Sequence, residues 1–145
     1  MLLHSELRKL GGVATRQELI AAGSSKETVD LAVYYRSIVI PRRGWYALPG
    51  TPEAVVRAIR VGGRLACISA LAYYRGEAAE GPLHLDVPRG ASRLRTAGET
   101  GLVLHWRRRR LEGDRVAVTE SVALRQASRC RHLGADAAGR TAGAG

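Results

Sequence analysis

The chain has 145 residues, 46% of them hydrophobic, enough for one compact domain or two very small ones that share an interface. Its 23 basic residues against 13 acidic ones give a formal net charge of +10, a balance that favours a polyanionic partner. No stretch approaches the roughly 18 apolar residues of a membrane span, and the N-terminal MLLHSELRKL does not read as a leader, so a soluble, cytoplasmic chain without a membrane partner is expected.

Phe is absent and only 5% of residues are aromatic, so the core is built from Leu, Val, Ile and Ala. Arg far outnumbers Lys, with Lys9 and Lys26 the two lysines. That excess has two readings, the base composition of the gene or selection for a polyanion, but only the second addresses the net charge.

In chain order, Ser5 to Leu10 read as a first helix that ends at Gly11-Gly12, with Leu7 and Leu10 on one side. TRQE, residues 15–18, is a capping box that opens a second helix carrying Leu19 and Ile20. SSKE, residues 24–27, repeats the device and opens a third helix from Ser25 to about Arg36, with Val29, Ala32 and Val33 as its apolar stripe. SIVIPRRGWYAL then reads as two strands joined across Arg43-Gly44. Two capped helices followed by a hairpin make a winged helix-turn-helix, whose second helix enters the major groove of double-stranded DNA.

That arrangement names the candidate DNA contacts. Thr15 and Arg16 start the first of the two capped helices, and Ser25, Lys26 and Thr28 lie at the start of the recognition helix. Arg42 and Arg43 are expected to be exposed at the wing tip and to offer guanidinium forks to phosphates. Trp45 and Tyr46 point to opposite faces, one into the helical core and the other toward the outer face or the sugar-phosphate edge.

Beyond residue 50, TPEAVVRAIRVGG gives a helix with Thr51 as cap, and SALAYYRG a shorter one capped by Ser69. LHLDV (83–87) and LVLHW (102–106) alternate like half-buried strands. Arg107 to Arg110 form a run that reads either as a solvated edge or as a phosphate-contacting strip. The fold class expected is α+β: a winged helix over 1–50, a small α+β unit over 51–125 and a disordered tail over 126–145, the last rich in Gly and Ala from about Leu133.

No catalytic constellation is visible. Asp86, Glu99, Glu112 and Asp114 lack the acid-x-Lys spacing common in nuclease centres, and there is no Walker loop, H-E-x-x-H or G-x-S-x-G. His4, His84, His105 and His132 lack metal-ligand spacing and read as core or surface residues. Cys67 and Cys130 are far apart without a C-x-x-C partner, so they read as two free thiols in a reducing compartment. No enzyme, metal or cofactor is expected, and nothing in the sequence sets the oligomeric state.

At GGVATRQELIAAG (11–23), RRGWYALPG (42–50), IRVGGRLACISAL (59–71), LHLDVPRGASRLR (83–95) and LVLHWRR (102–108), the chain closely resembles the AbiEi-type antitoxin family with an N-terminal winged helix. The resemblance covers about His4 to Arg110. It implies a DNA-binding repressor of a type IV toxin-antitoxin operon, whose partner is a nucleotidyltransferase-like toxin. Longer relatives continue into a very-short-patch-repair-like endonuclease domain, so the chain reads as a truncated or frame-shifted member. Relatives carry several basic residues along the recognition helix, whereas here Lys26 is followed by Glu27, Asp30 and Leu31, which shifts affinity onto the wing. A protein-binding antitoxin without strong DNA binding and an inert fragment of a nuclease fusion are the alternatives.

Overall fold

Leu3 and Leu7 lie one turn apart, and α1 (Leu2–Lys9) buries both completely in the computed structural model, which describes residues 2–91 and 93–131. A short strand not anticipated from the residue pattern, β1 (Val13–Thr15), leads into α2 (Arg16–Ala21). The capping box forms as expected: Glu18 N donates to Thr15 Oγ1 at 3.2 Å and Thr15 N donates to Glu18 Oε1 at 2.9 Å. The second box does not form. The cap of α3 (Lys26–Tyr34) is Ser25, one residue later than the S-x-x-E spacing requires, so the third helical residue is Thr28 and not Glu27.

β2 (Val39–Arg42) and β3 (Trp45–Ala47) form the hairpin, with Gly44 at φ 84° in the left-handed conformation that its turn needs. β3 lies between β1 and β2, antiparallel to both, and the whole is a winged helix. Its own core is Leu3, Leu7, Ala14, Leu19, Val29, Ala32, Ile38 and Tyr46. Trp45 points the other way and packs, half-buried, against a second and larger core.

That larger core belongs to the rest of the chain. α4 (Glu53–Val61) turns its Val55, Ala58 and Ile59 inward and stops at Gly62, φ 109°. β4 (Arg64–Leu65), β5 (Leu83–Pro88) and β6 (Leu102–Arg107) form a sheet in that order, β4 antiparallel and β6 parallel to β5. α5 (Cys67–Tyr74) follows β4, and α6 (Glu120–Arg129) closes the described chain. The α+β class holds, with six helices among the described residues.

Four expectations are corrected here. Thr51 does not cap α4: the cap position is Pro52, and the Thr51 hydroxyl donates to the backbone carbonyl of Gly12 at 3.4 Å. The strands are not half-buried: Leu83 to Val87 and Leu102 to His105 are buried on both faces. Leu83, Leu85, Leu102 and Leu104 fill the main core, while the opposite face, with His84, Asp86, Val103 and His105, is also covered. α5 starts at Cys67, and Ser69 is not a cap, because its Oγ accepts from the backbone N–H of His84 at 2.9 Å. The tail does not begin at 126, because α6, capped by Thr119, runs to Arg129. The expectation of disorder from 133 onward lies outside the described residues. Among the described residues no helix is long and apolar enough to cross a membrane.

The winged helix and the α+β unit share apolar contacts, since Val13 and Ala47 sit in the larger core. An ion pair between Glu18 of α2 and Arg115 also joins them. Chiefly through the Arg115 hydrogen bond, the Glu18 carboxyl is held down to about 2, with the backbone and hydroxyl of Thr15 acting in the same direction and burial opposing. A depressed carboxyl contributes stability that is complete above its ordinary range and disappears as pH falls through the folded value. Glu18→Gln keeps the cap geometry and removes only the charge. It should cost on the order of 1 kcal/mol at neutral pH, discounted for the exposure of both partners. The gap between wild type and variant in urea melts should narrow as pH falls below about 4.5 toward 2. A gap that does not change with pH would count against the ion pair.

Candidate functional site

The structure assigns most of the candidate DNA contacts to local architecture. Thr15 is occupied as the α2 cap and also donates its hydroxyl to Glu18 Oε1 at 3.0 Å. Arg16 donates to the Tyr46 hydroxyl at 2.8 Å and to Asp30 Oδ1 at 3.1 Å, which pins α2 to α3 and to β3. Those hydrogen bonds, Tyr46 first, raise its pKa further. Ser25 caps α3, and its hydroxyl and that of Thr28 are bonded to each other at 2.9 Å on the exposed surface.

The two wing arginines separate. Arg42 is half-buried, donates to the backbone carbonyl of Arg93 at 2.7 Å, and lays its guanidinium where a Cβ on Gly62 would stand. The expectation that it is exposed at the wing tip is corrected: it ties the wing to the loop after β5. Arg43 is exposed beside Gly44. The charged ends of Arg43 and Lys26 make no hydrogen bond or ion pair among the described residues. They are the two candidates left with charge to spare.

The exposed face of α3 is unusual for a DNA-reading helix. Past Lys26 it offers Glu27, Asp30 and Leu31, then Tyr34 and Tyr35, which are 77% and 73% exposed and stack edge-to-face at 5.1 Å. Val39 and Ile40 at the start of β2 are exposed as well.

A second basic surface draws on several elements. Arg8 and Lys9 at the end of α1, Arg89 after β5, Arg107 to Arg110 and Arg115 line an open cleft of about 960 Å³. The carboxylate among its lining residues, Asp114, is engaged by the backbone N–H groups of Val116 and Ala117 at 2.8 and 3.0 Å. Arg107 differs from its neighbours in the run because it is half-buried against Asp86, whereas Arg108, Arg109 and Arg110 are exposed. Crowding so many guanidinium groups around one concavity raises the local potential and suits a phosphate chain.

The α+β unit also brings together four residues that the sequence keeps apart. His84 and His105 stand on the same face of the parallel β5–β6 pair, with His84 Nδ1 and His105 Nε2 3.0 Å apart. Cys130 Sγ at the end of α6 lies 3.8 Å from each of these nitrogens. Cys67 at the start of α5 completes the group, and the ligand atoms of all four fall within 4.8 Å of one another. His84 and His105 are buried, as a core reading of them expects, and the grouping of the four arises only in the fold. Burial pushes the Cys67 thiol up to about 12. Spacing rules look for donors within a few residues, and here the two histidines are 21 residues apart, Cys130 lies 25 beyond the second, and Cys67 stands well before the first. The available signal was a single histidine among the leucines and valines of each of two strands.

No model of a known protein family matches the chain, and a search of curated proteins finds no relative.

Proposed function

We propose that the chain is a DNA-binding transcriptional regulator that acts in the cytoplasm, an antitoxin of the type IV toxin-antitoxin kind, holding duplex DNA through α3, the wing and the arginine cleft. The observation that carries this reading is the winged helix itself: two capped helices against a three-stranded sheet, with Lys26 and Arg43 exposed at the positions that face DNA in such domains. The arginine cleft supports it by supplying the phosphate affinity that the acidic and apolar face of α3 does not.

The wing test follows from the separation of its two arginines. Arg43→Ala should weaken operator and random duplex alike and flatten the slope of log affinity against log salt by about one unit. Arg42→Ala should leave that slope unchanged and lower thermal stability instead, because its guanidinium is spent on Arg93. Lys26→Ala should reduce the preference for operator over random DNA by about 1–3 kcal/mol if it reads a guanine edge. Equal slopes for wild type and Arg43→Ala would remove the wing from the interface.

A second reading has its own observation, the exposed Leu31, Tyr34, Tyr35, Val39 and Ile40. Exposed aromatics and aliphatics crowded on one short segment suit a protein partner better than phosphates. In this reading the patch holds the nucleotidyltransferase-like toxin. Tyr34→Ala should then abolish toxin neutralisation in co-expression and leave the salt slope of DNA binding intact.

A further inference from the structure

We infer that Cys67, His84, His105 and Cys130 form a structural site for one divalent metal ion of the zinc class, which locks α6 and the start of α5 onto the β5–β6 pair. The donor set is the first argument. Two thiols and two imidazoles make a complete set of four soft or borderline ligands, the combination that selects zinc and disfavours the oxygen-seeking magnesium and calcium.

Geometry is the second. Bonds of about 2.0–2.1 Å to nitrogen and about 2.3 Å to sulfur put the donor atoms of a tetrahedral centre roughly 3.3–3.8 Å apart. The N···N pair at 3.0 Å and the two S···N pairs at 3.8 Å lie at or beside that range. No pair of ligand atoms exceeds 4.8 Å, so side-chain torsions suffice to close the shell.

The backbone supplies a third and independent argument. Cys67 has φ 52°, in the left-handed region that residues with a Cβ avoid. Its N–H is held there by the side chain of Gln126, on α6, at 2.9 Å. A strained residue that persists because the opposite helix fixes it indicates that the direction of its side chain is being used. Here that direction brings the sulfur to the two histidines and to Cys130.

The site is structural and not catalytic, because all four positions of the shell come from the protein and leave none for substrate. Cys67, His84 and His105 are buried, and Cys130, half-buried, marks the way in. On binding, both thiols release their protons to solvent, while each imidazole stays neutral and offers one lone pair, so the ring that donates to the other in the metal-free pair carries its proton on its other nitrogen instead.

The test uses the full reduced chain, freed of metal and titrated with Co²⁺. One equivalent should bind, with intense visible bands of a four-coordinate ion and a near-ultraviolet thiolate-to-cobalt band, and Zn²⁺ should bleach both. Zn²⁺ should raise the melting temperature of the metal-free chain by roughly 10 °C. Cys130→Ser, at the least buried ligand, should weaken Co²⁺ binding by about 100-fold or more and remove part of the thiolate band. Lys26→Ala should bind Co²⁺ as the wild type does, which keeps this question separate from DNA binding. A folded, reduced chain that takes up no Co²⁺ and melts at the same temperature with and without Zn²⁺ overturns the assignment. So does a Co²⁺ complex without a thiolate band.

Discussion

Asp86→Ala should cost about 3–5 kcal/mol, the largest loss expected of any single substitution here. Asp86 is 1% exposed, and its Oδ2 accepts from Arg64 Nε at 2.8 Å and from Arg107. Arg64 is itself buried and spends its other nitrogens on the carbonyls of Asp114 and Leu111, each at 2.8 Å. One carboxylate therefore serves as the counter-charge to both a guanidinium that ties β4 to the 111–114 loop and another that ends β6. Removing it leaves the buried Arg64 and the half-buried Arg107 without their carboxylate, and the desolvation of Arg64, not the lost hydrogen bonds, dominates the cost. Arg107→Ala should cost less, because the Arg64–Asp86 pair survives. Urea denaturation of the three proteins gives the order, and a loss below about 1 kcal/mol for Asp86→Ala would mean that water or rearrangement rescues the site.

Replacing Arg108, Arg109 and Arg110 together by Ala should weaken duplex DNA binding by roughly 10²-fold at about 0.15 M salt and lower the salt slope by about three units, if each neutralises one phosphate. Operator and random DNA should suffer equally, because a phosphate contact carries no sequence information. Stability should stay within about 0.5 kcal/mol of wild type, as all three side chains are exposed. Relief of mutual repulsion around the cleft works in the stabilising direction. Arg107 is left in place because Asp86 holds it. An unchanged slope would return the run to a solvated edge.

The winged helix was legible because its signals are local. Thr15 and Glu18 satisfy each other's backbone within four residues, and Gly44 marks the hairpin turn. What escaped is what depends on distant partners. β1 is three residues long and exists only because β3 pairs with it. The strands of the α+β unit looked half-buried because His84, Asp86 and His105 alternate with Leu, yet the fold buries those polar residues by giving each a partner from another element. Arg42 and Arg43 are adjacent and chemically identical, and only the position of Arg93 and Gly62 separates an anchor from a free cation. The arginine run gave its charge to the sequence reading but not its surroundings, since Arg8, Lys9 and Arg89 reach the same cleft from other elements.

The most direct test of DNA binding is a selection of duplexes from a random library by the purified chain, followed by anisotropy titration of the enriched duplex and a scrambled one between about 50 and 300 mM salt. A defined site should emerge and be bound at least about 10³-fold more tightly than the scramble. Both affinities should fall steeply with salt, with a slope of at least about three, and Lys26→Ala should narrow the gap between them. Failure to bind any duplex at the lowest salt, or binding that salt does not weaken, would contradict the DNA-binding reading.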